Sequence, residues 1–352
     1  MNDTASTAVD TVLSICIPTY NRASMLEVLL GRIADDLTGD ITDRVEVVVT
    51  DNESPDETPA VVERFRARIA RLRYVRHPVN IGPDRNFLAC VAEASSEFCW
   101  LMGDDDLPEP GSIARIIEVV QDHPEICGLS MDRFARSRDL QTRLSEDVFS
   151  QFDCTTVLHG AEDVFENIVD YICYLSAQVV RRSIWQDVVR ECPVDQFYNS
   201  YVHVYVIAQM LRRNPSWLVL KERLVTWRAD NDSFLSAGRY RRIEIDVTGF
   251  AQIAQACFGQ RSDTYRAIRD RIATRNLRMM ITSSRVEGSW NADLRRKTVK
   301  LALKHYARSM PFWMVTAPIL FAPSAVLPVL KYAQRVVHER RARRIGMVSD
   351  TH

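Results

Sequence analysis

An α/β fold with a parallel-dominated sheet flanked by helices, followed by a helical C-terminal region, is what this sequence predicts. Three observations carry that reading. Over the first 125 residues, short continuous apolar runs at 13–18, 45–50, 72–75 and 98–102 alternate with helix-like stretches. Runs of that length without polar alternation are strands covered on both faces. Strand, helix, strand, helix at this spacing then specifies parallel pairing with right-handed crossovers. Finally, the runs end in polar residues, at Thr19-Tyr20-Asn21-Arg22, Asp51-Asn52 and Asp104-Asp105-Asp106. In open α/β sheets the carboxyl ends of the strands are where ligands bind.

The elements follow in order. Helices are expected at 23–37, 56–70, 85–94 and 111–121, between and after the four strands. From 126 to 235 the pattern is more mixed, with a strand at 175–180, a helix at 201–213 and a strand at 217–227. Beyond 236 the chain reads as helical and Arg-rich, so a catalytic domain over 1–235 and a basic helical region over 236–352 are expected. The charge supports that division. Residues 1–235 hold 23 basic against 38 acidic side chains, a net of −15, and residues 236–352 hold 22 against 8, a net of +14. An acidic, cation-binding half is thereby joined to a basic half suited to an anionic surface. No aromatic-plus-basic signature accompanies the charge, which argues against nucleic acid. The eight cysteines show no CxxC spacing and several lie in apolar runs. With Met1–Asp10 too short and polar for a signal peptide, the expected compartment is the reducing cytoplasm.

The run Phe98-Cys99-Trp100-Leu101-Met102-Gly103 ends abruptly in Asp104-Asp105-Asp106. A buried strand cannot carry three adjacent charges, so the triplet lies where the strand leaves the sheet. Closely spaced carboxylates suit a hard divalent cation, Mn²⁺ or Mg²⁺, that also holds a substrate phosphate. The alternative is a solvated acidic turn. Asn80-Ile81-Gly82-Pro83 reads as a tight turn with Gly82 at a permissive backbone angle. It places Asp84, Arg85 and Asn86 at the mouth of the site, where Arg85 suits bidentate phosphate contact.

Taken together, Ser14-Ile15-Cys16-Ile17-Pro18-Thr19-Tyr20-Asn21-Arg22, Asp51-Asn52-Glu53-Ser54-Pro55-Asp56-Glu57-Thr58, Asn80-Ile81-Gly82-Pro83 and Gly103-Asp104-Asp105-Asp106 resemble glycosyltransferase family 2. Leu107 and Pro110 after the triplet make it similar to the abequosyltransferase-like, surface-polysaccharide branch. The resemblance covers about 12–125 well and 170–235 loosely. It implies the A-type nucleotide-sugar-binding fold and transfer of a sugar from a nucleotide-diphosphate donor to an acceptor hydroxyl, such as a lipid-linked glycan. It implies that Pro18, Thr19, Tyr20, Arg22, Asp51, Asn52, Arg85, Asp104, Asp105 and Arg228 bind the donor, Asp105 at the ribose. Asp104 and Asp106 would hold the metal. Family members that invert often carry a Glu-Asp pair opening a helix near residue 200. Here that stretch is Cys192-Pro193-Val194-Asp195-Gln196-Phe197-Tyr198-Asn199-Ser200-Tyr201-Val202-His203. Asp195 and His203 are the side chains left to take a proton. Trp227-Arg228-Ala229-Asp230-Asn231-Asp232-Ser233 resembles the late loop that closes over the diphosphate, with Arg228 on the leaving phosphate.

Residues 309–330 are free of charge over 22 positions, long enough to span a bilayer. Pro311, Pro318, Pro323 and Pro328 break a simple spanning helix, and Lys331, Arg335, Arg340, Arg341, Arg343 and Arg344 follow. An apolar wedge backed by a basic tail, at 309–344, reads as peripheral attachment to an anionic leaflet. A buried helical hairpin or a homodimer contact is the alternative. Two other functions are weighed. A nucleotidyltransferase needs a Gly-rich basic loop where Pro18-Thr19-Tyr20-Asn21-Arg22 stands, and an inactive scaffold module has no use for a full Asp triplet.

Overall fold

The computed structural model describes residues 11–144, 148–229, 231 and 233–323. They form two compact units. The first holds the described residues of 11–142, 148–164 and 171–229, and the second those of 143–144, 165–170 and 231–323. The division after Ala229 lies slightly ahead of the boundary expected at 235.

The first unit begins β1 (Leu13–Thr19), α1 (Ala23–Asp36), α2 (Ile41–Arg44), β2 (Val45–Asp51), α3 (Thr58–Phe65), β3 (Leu72–Arg76), α4 (Pro83–Ala92), β4 (Phe98–Leu101), β5 (Leu107–Pro108), α5 (Ser112–Asp122) and β6 (Gly128–Arg136). After the two-residue β7 (Arg143–Leu144) come β8 (Thr156–His159), α6 (Ala161–Ile172), β9 (Gln178–Arg181), α7 (Arg182–Glu191), α8 (Val202–Arg213) and β10 (Ser216–Arg228). The sheet runs β3-β2-β1-β4-β9-β6-β10-β5, with β8 against the start of β10. Strands β3, β2, β1 and β4 are parallel, β9 runs antiparallel to both β4 and β6, and β10 is parallel to β6.

Every residue of β1, β2 and β4 is buried, the pattern of strands covered on both faces. Of the two acids they contain, Asp51 closes β2, and Glu46 accepts from the Ser14 hydroxyl and from the backbone and hydroxyl of Ser95, as a buried carboxylate must. On the other side of the sheet, a Cβ on Gly128 would collide with the Trp217 ring and lie 2.6 Å from the Val179 carbonyl. Only glycine lets β6, β9 and β10 close up at that point. The expected strand at 175–180 is a 3₁₀ turn (Leu175–Ala177) leading into β9. Strands β6 and β8 and helices α6 and α7 have no counterpart in the sequence reading. In β6, the buried Asp132 pairs with Arg223 of β10, so a charge sits where periodicity expects an apolar residue.

The second unit contains α9 (Arg239–Phe258), α10 (Asp263–Ile272), a π-helical turn (Ala273–Leu277), α11 (Arg278–Val286), α12 (Ala292–Tyr306), a second π-helical turn (Phe312–Thr316) and α13 (Ala317–Phe321). Ser262 and Asn291 cap α10 and α12 by accepting from the backbone of Tyr265 and Leu294. Ile243, Val247, Leu277, Ile281, Leu301 and Phe312 are among the residues of its core. The uncharged segment is fastened to that core through 323. Phe312 and Leu320 are fully buried, Thr316 donates to the Ala273 carbonyl, and Arg285 donates to the carbonyls of Ile319, Ala322 and Pro323. Its other face is open: Met310 is 70% and Met314 72% exposed, with Trp313 and Phe321 beside them at 42% and 41%. No helix among the described residues is long and apolar enough to cross a membrane. Residues 324–344, with most of the basic tail, lie outside the described residues.

Candidate active site

Strand β1 ends at Thr19, and its hydroxyl donates 2.8 Å to Asp104 Oδ2 across the gap to the end of β4. Arg22, where the chain turns into α1, reaches the same place. Its Nη1 lies 2.8 Å from both Asp104 Oδ1 and Asp105 Oδ2. Burial works against the Arg22 charge, but the two carboxylates outweigh it and raise its pKa. Asn21 accepts a left-handed backbone (φ 53) to make this turn, and its N–H donates to Ser54. Asp56 accepts from the N–H groups of Ala23 and Thr58 and so caps both α1 and α3. Tyr20 projects outward, 46% exposed.

Asp51, at the end of β2, is completely buried. One oxygen accepts from the Ser54 N–H at 2.8 Å and the other from the Tyr74 hydroxyl at 2.6 Å, with Arg76 3.6 Å away. Asn52 spends both ends of its amide on the 80–81 turn, donating to Asn80 Oδ1 and accepting from the Ile81 N–H. The structure therefore makes Asp51 and Asn52 builders of the rim, and Tyr20 its exposed neighbour. Gly82 sits at φ 84, as the tight turn requires. Behind it, Asn86 donates to the carbonyls of Thr19 and Thr50 and ties α4 to the ends of β1 and β2.

Asp106 is held from the other side. The Ser176 hydroxyl, just before β9, donates 2.5 Å to its Oδ2 while accepting 2.9 Å from the Gly103 N–H. The Arg228 N–H, at the end of β10, donates 3.1 Å to its Oδ1. The Arg228 guanidinium is engaged with the carbonyls of Asp105 and Arg138. A Cβ on Gly103 would press on Ser176 Oγ at 3.1 Å and Asp105 Oδ1 at 3.2 Å, which explains a glycine ahead of the triplet. Burial, opposed by Arg22, raises the Asp104 pKa to about 6, and burial together with Asp105 raises that of Asp106 to about 7. The three consecutive carboxylates lie at the junction of β1, β4, β9 and β10, with Arg22 answering the charge of the first two.

The remaining sequence candidates lie on α4 and around α8. Asp84 accepts from the N–H groups of Ser200 and Val202 and pins the segment entering α8 against the start of α4. Arg85 stacks on Tyr198, 5.1 Å from the ring centroid. Asp195 is exposed, in the 3₁₀ turn Val194–Phe197. His203 is 2% exposed, its Nε2 lies 3.2 Å from the Cys173 carbonyl, and burial lowers its pKa to about 4. The ring is neutral near pH 7. Asp230 and Asp232 lie outside the described residues.

The family model for glycosyl transferase family 2 matches residues 14–187. Abequosyltransferase RfbV of Salmonella typhimurium is 30% identical over 269 residues, 73% of this chain and 78% of that protein. The chain belongs to glycosyltransferase family 2. A β-1,3-glucosyltransferase of Campylobacter jejuni named for GalNAc(5)-diNAcBac-PP-undecaprenol is 30% identical over 107 residues, 30% of this chain and 33% of that protein. Among solved structures, Staphylococcus aureus TarS 1–349 in complex with UDP-GlcNAc superimposes with a TM-score of 0.60 at 14% identity, covering 94% of this chain and 89% of that one. The mannosyltransferase PcManGT of Pyrobaculum calidifontis, in complex with GDP-Man and Mn²⁺, gives 0.54 at 15% identity over 90% and 87%. The chain is thus a glycosyltransferase with the A-type fold anticipated from its motifs.

In a family 2 transferase the question for this site is whether the triplet suits a divalent cation. Among the described residues no three His, Cys or acidic side chains converge on one point. A cation here would take one or two carboxylates, with phosphate oxygens and water as its other ligands, the habit of Mg²⁺ and Mn²⁺. The donor chemistry fits, since the oxygens are hard and a carboxylate oxygen that accepts one bond retains a lone pair. Ser176 was invisible as part of this site, and Asp84, placed at its mouth by the sequence, pins the segment entering α8 instead. A lone serine in a mixed segment carries no motif, and the acid at the start of α4 serves a contact 116 residues away.

Proposed function

We propose that this glycosyltransferase moves a sugar from a nucleotide-diphosphate donor to a hydroxyl of a lipid-linked glycan during surface polysaccharide assembly, with Mn²⁺ or Mg²⁺, from the cytoplasmic face of a membrane. The observation that carries the reading is the Asp104–Asp106 centre, where one short segment is gripped from four strand ends. Tyr20 borders the nucleoside, within a rim shaped by Pro18, Thr19, Asp51 and Asn52. Asp105 borders the ribose, and Arg22, Arg85 and Arg228 oppose the diphosphate charge. Asp106 is the stronger metal ligand of the pair, because its partners are a hydroxyl and a peptide N–H, whereas Asp104 already faces a guanidinium. A cation bound there neutralises the leaving diphosphate. Asp195 receives the acceptor proton: it is exposed, on a loop pinned to the rim, while His203 is buried with its Nε2 at the Cys173 carbonyl.

The membrane part rests on the open face of Met310, Trp313, Met314 and Phe321 and on the +14 charge of residues 236–352. The name of the Campylobacter jejuni relative, with its undecaprenol-linked glycan, points the same way. Thermal unfolding with CDP, UDP, GDP and dTDP, with and without Mn²⁺, tests the donor site. One nucleotide should raise Tm, and more so with Mn²⁺; stabilisation by none contradicts the proposal. Sedimentation with anionic vesicles tests the attachment. Trp313→Ser with Phe321→Ser should weaken it about tenfold, on the order of 1–2 kcal/mol of apolar burial, and a wild-type chain that ignores such vesicles at low salt refutes it.

A further inference from the structure

The ends of the first three strands lie side by side. Thr19, Asp51 and Arg76 close β1, β2 and β3 and are paired in register across the sheet. The aspartate triplet follows β4, on the far side of β1. Arg76 thus stands three strand spacings from it, roughly 14 Å. A donor whose diphosphate meets the triplet and whose nucleoside borders Tyr20 lays its base over the ends of β2 and β3. Of the two residues paired there, Asp51 has no exposed side-chain surface, whereas the Arg76 side chain is 46% exposed. Both Asp51 oxygens accept from within the protein, from the Ser54 N–H and the Tyr74 hydroxyl. Arg76 Nε lies 3.6 Å from Asp51, and its Nη2 donates 2.9 Å to the Ser54 carbonyl. The guanidinium is therefore fixed on its inner side and open on its outer side. Arg76 belongs to none of the four motifs that mark the strand ends.

We propose that Arg76 is a specificity-determining residue that reads the donor's nucleobase and favours one with two adjacent acceptor atoms, cytosine or guanine, over uracil and thymine. The proposal rests on the donor site described above, with Asp51 and Ser54 positioning the guanidinium. A guanidinium is a planar fork of N–H donors with no acceptor of its own. Guanine offers O6 and N7 to such a fork, and cytosine offers N3 and O2. Uracil and thymine place their N3–H between two oxygens, so a fork aimed at that edge sets donor against donor, and this repulsion supplies part of the selectivity.

Calorimetric titration of the full chain with CDP, GDP, UDP and dTDP, each with Mn²⁺, reads the preference directly. Wild type should bind CDP or GDP about 10- to 100-fold more tightly than UDP and dTDP, the discrimination that one bidentate contact supplies. Which of the two it binds identifies the base. Arg76→Met should lose that margin for the preferred nucleotide and bind UDP as wild type does. Arg76→Lys keeps a cation beside Asp51 but not the fork, so it should lose the margin too, and it decides the matter if Arg76→Met fails to fold. Wild-type protein that binds UDP or dTDP as tightly as CDP and GDP overturns the proposal and leaves the donor site standing. A preference that survives in Arg76→Lys also overturns it. Equal losses for all four nucleotides in Arg76→Met overturn it in favour of a phosphate contact. If wild type binds no member of the panel, the donor site fails and this inference with it.

Discussion

Asp104 and Asp106 stand two residues apart, both nearly covered and both raised in pKa by burial, yet the chain treats them differently. On the β1 side, Asp104 meets Thr19 and the Arg22 guanidinium, so its charge is answered by the protein itself. On the β9 and β10 side, Asp106 receives a serine hydroxyl and a peptide N–H, which orient a carboxylate without neutralising it. A buried charge left without a counter-charge is expensive. Retaining one at the end of a ligand-binding strand assigns the missing positive charge to something that arrives with the substrate. In the function proposed above, the two sides of one triplet thus separate a structural acid from a functional one.

The largest effect should come from breaking that asymmetry at Asp106. Asp106→Asn keeps the shape and the contacts of Ser176 while removing the charge, and turnover should fall on the order of 10³-fold, the scale of losing a centre that stabilises developing charge. Asp104→Asn should cost about tenfold, since Arg22 keeps Asp105 as a partner. Steady-state kinetics on the two variants decide the matter, and equal losses would erase the distinction.

A smaller effect sharpens the comparison at a third buried group, His203, which, unlike Asp106, has no charge to answer. Its folded pKa is lowered to about 4 from the usual 6.5. The unfolded chain therefore binds an extra proton between those values, and this site withdraws stability as pH falls through that window. At full effect the loss is about 3 kcal/mol. Asp104 and Asp106, whose pKa values are raised, act in the opposite sense, so the comparison must be between proteins. In urea unfolding, His203→Gln should lose less stability than wild type on going from pH 6.5 to 4, and it should keep most of its activity. Parallel stability curves would show that the ring is solvated, and an abolished turnover would return His203 to the chemistry.

The legibility of this molecule divides along the same sheet. Strands β1 to β4 were readable because each is a continuous apolar run closed by a turn, and because their polar ends fall in the order that the family shares. Strand β6 was not, because Asp132 interrupts it. Strand β9 was read three residues early, where the chain makes a 3₁₀ turn. In the site, Thr19, Arg22, Asp104, Asp105, Asp106 and Arg228 do gather at one junction. Asp51 and Asn52 lie at the rim and also build it, through Ser54, Tyr74, Asn80 and Ile81, a use that sequence cannot tell from ligand contact because both call for the same side chains. Ser176 belongs to no motif. Its proximity to Asp106 arises only from the antiparallel insertion of β9 between β4 and β6. The uncharged segment from 309 had looked like either a wedge or a buried hairpin. Through 323 it is anchored on one face and open on the other, a division that depends on helix phase and is hidden by a uniformly apolar composition.

The central claim is that Asp106, and not Asp104, receives the cation that accompanies the donor diphosphate. Electron paramagnetic resonance of free Mn²⁺, titrated with protein in the presence of the stabilising nucleoside diphosphate, measures this without turnover. Wild type and Asp104→Asn should both remove the free Mn²⁺ signal with comparable affinity, and Asp106→Asn should leave it nearly intact. Retained Mn²⁺ binding by Asp106→Asn, with loss in Asp104→Asn, would contradict the account.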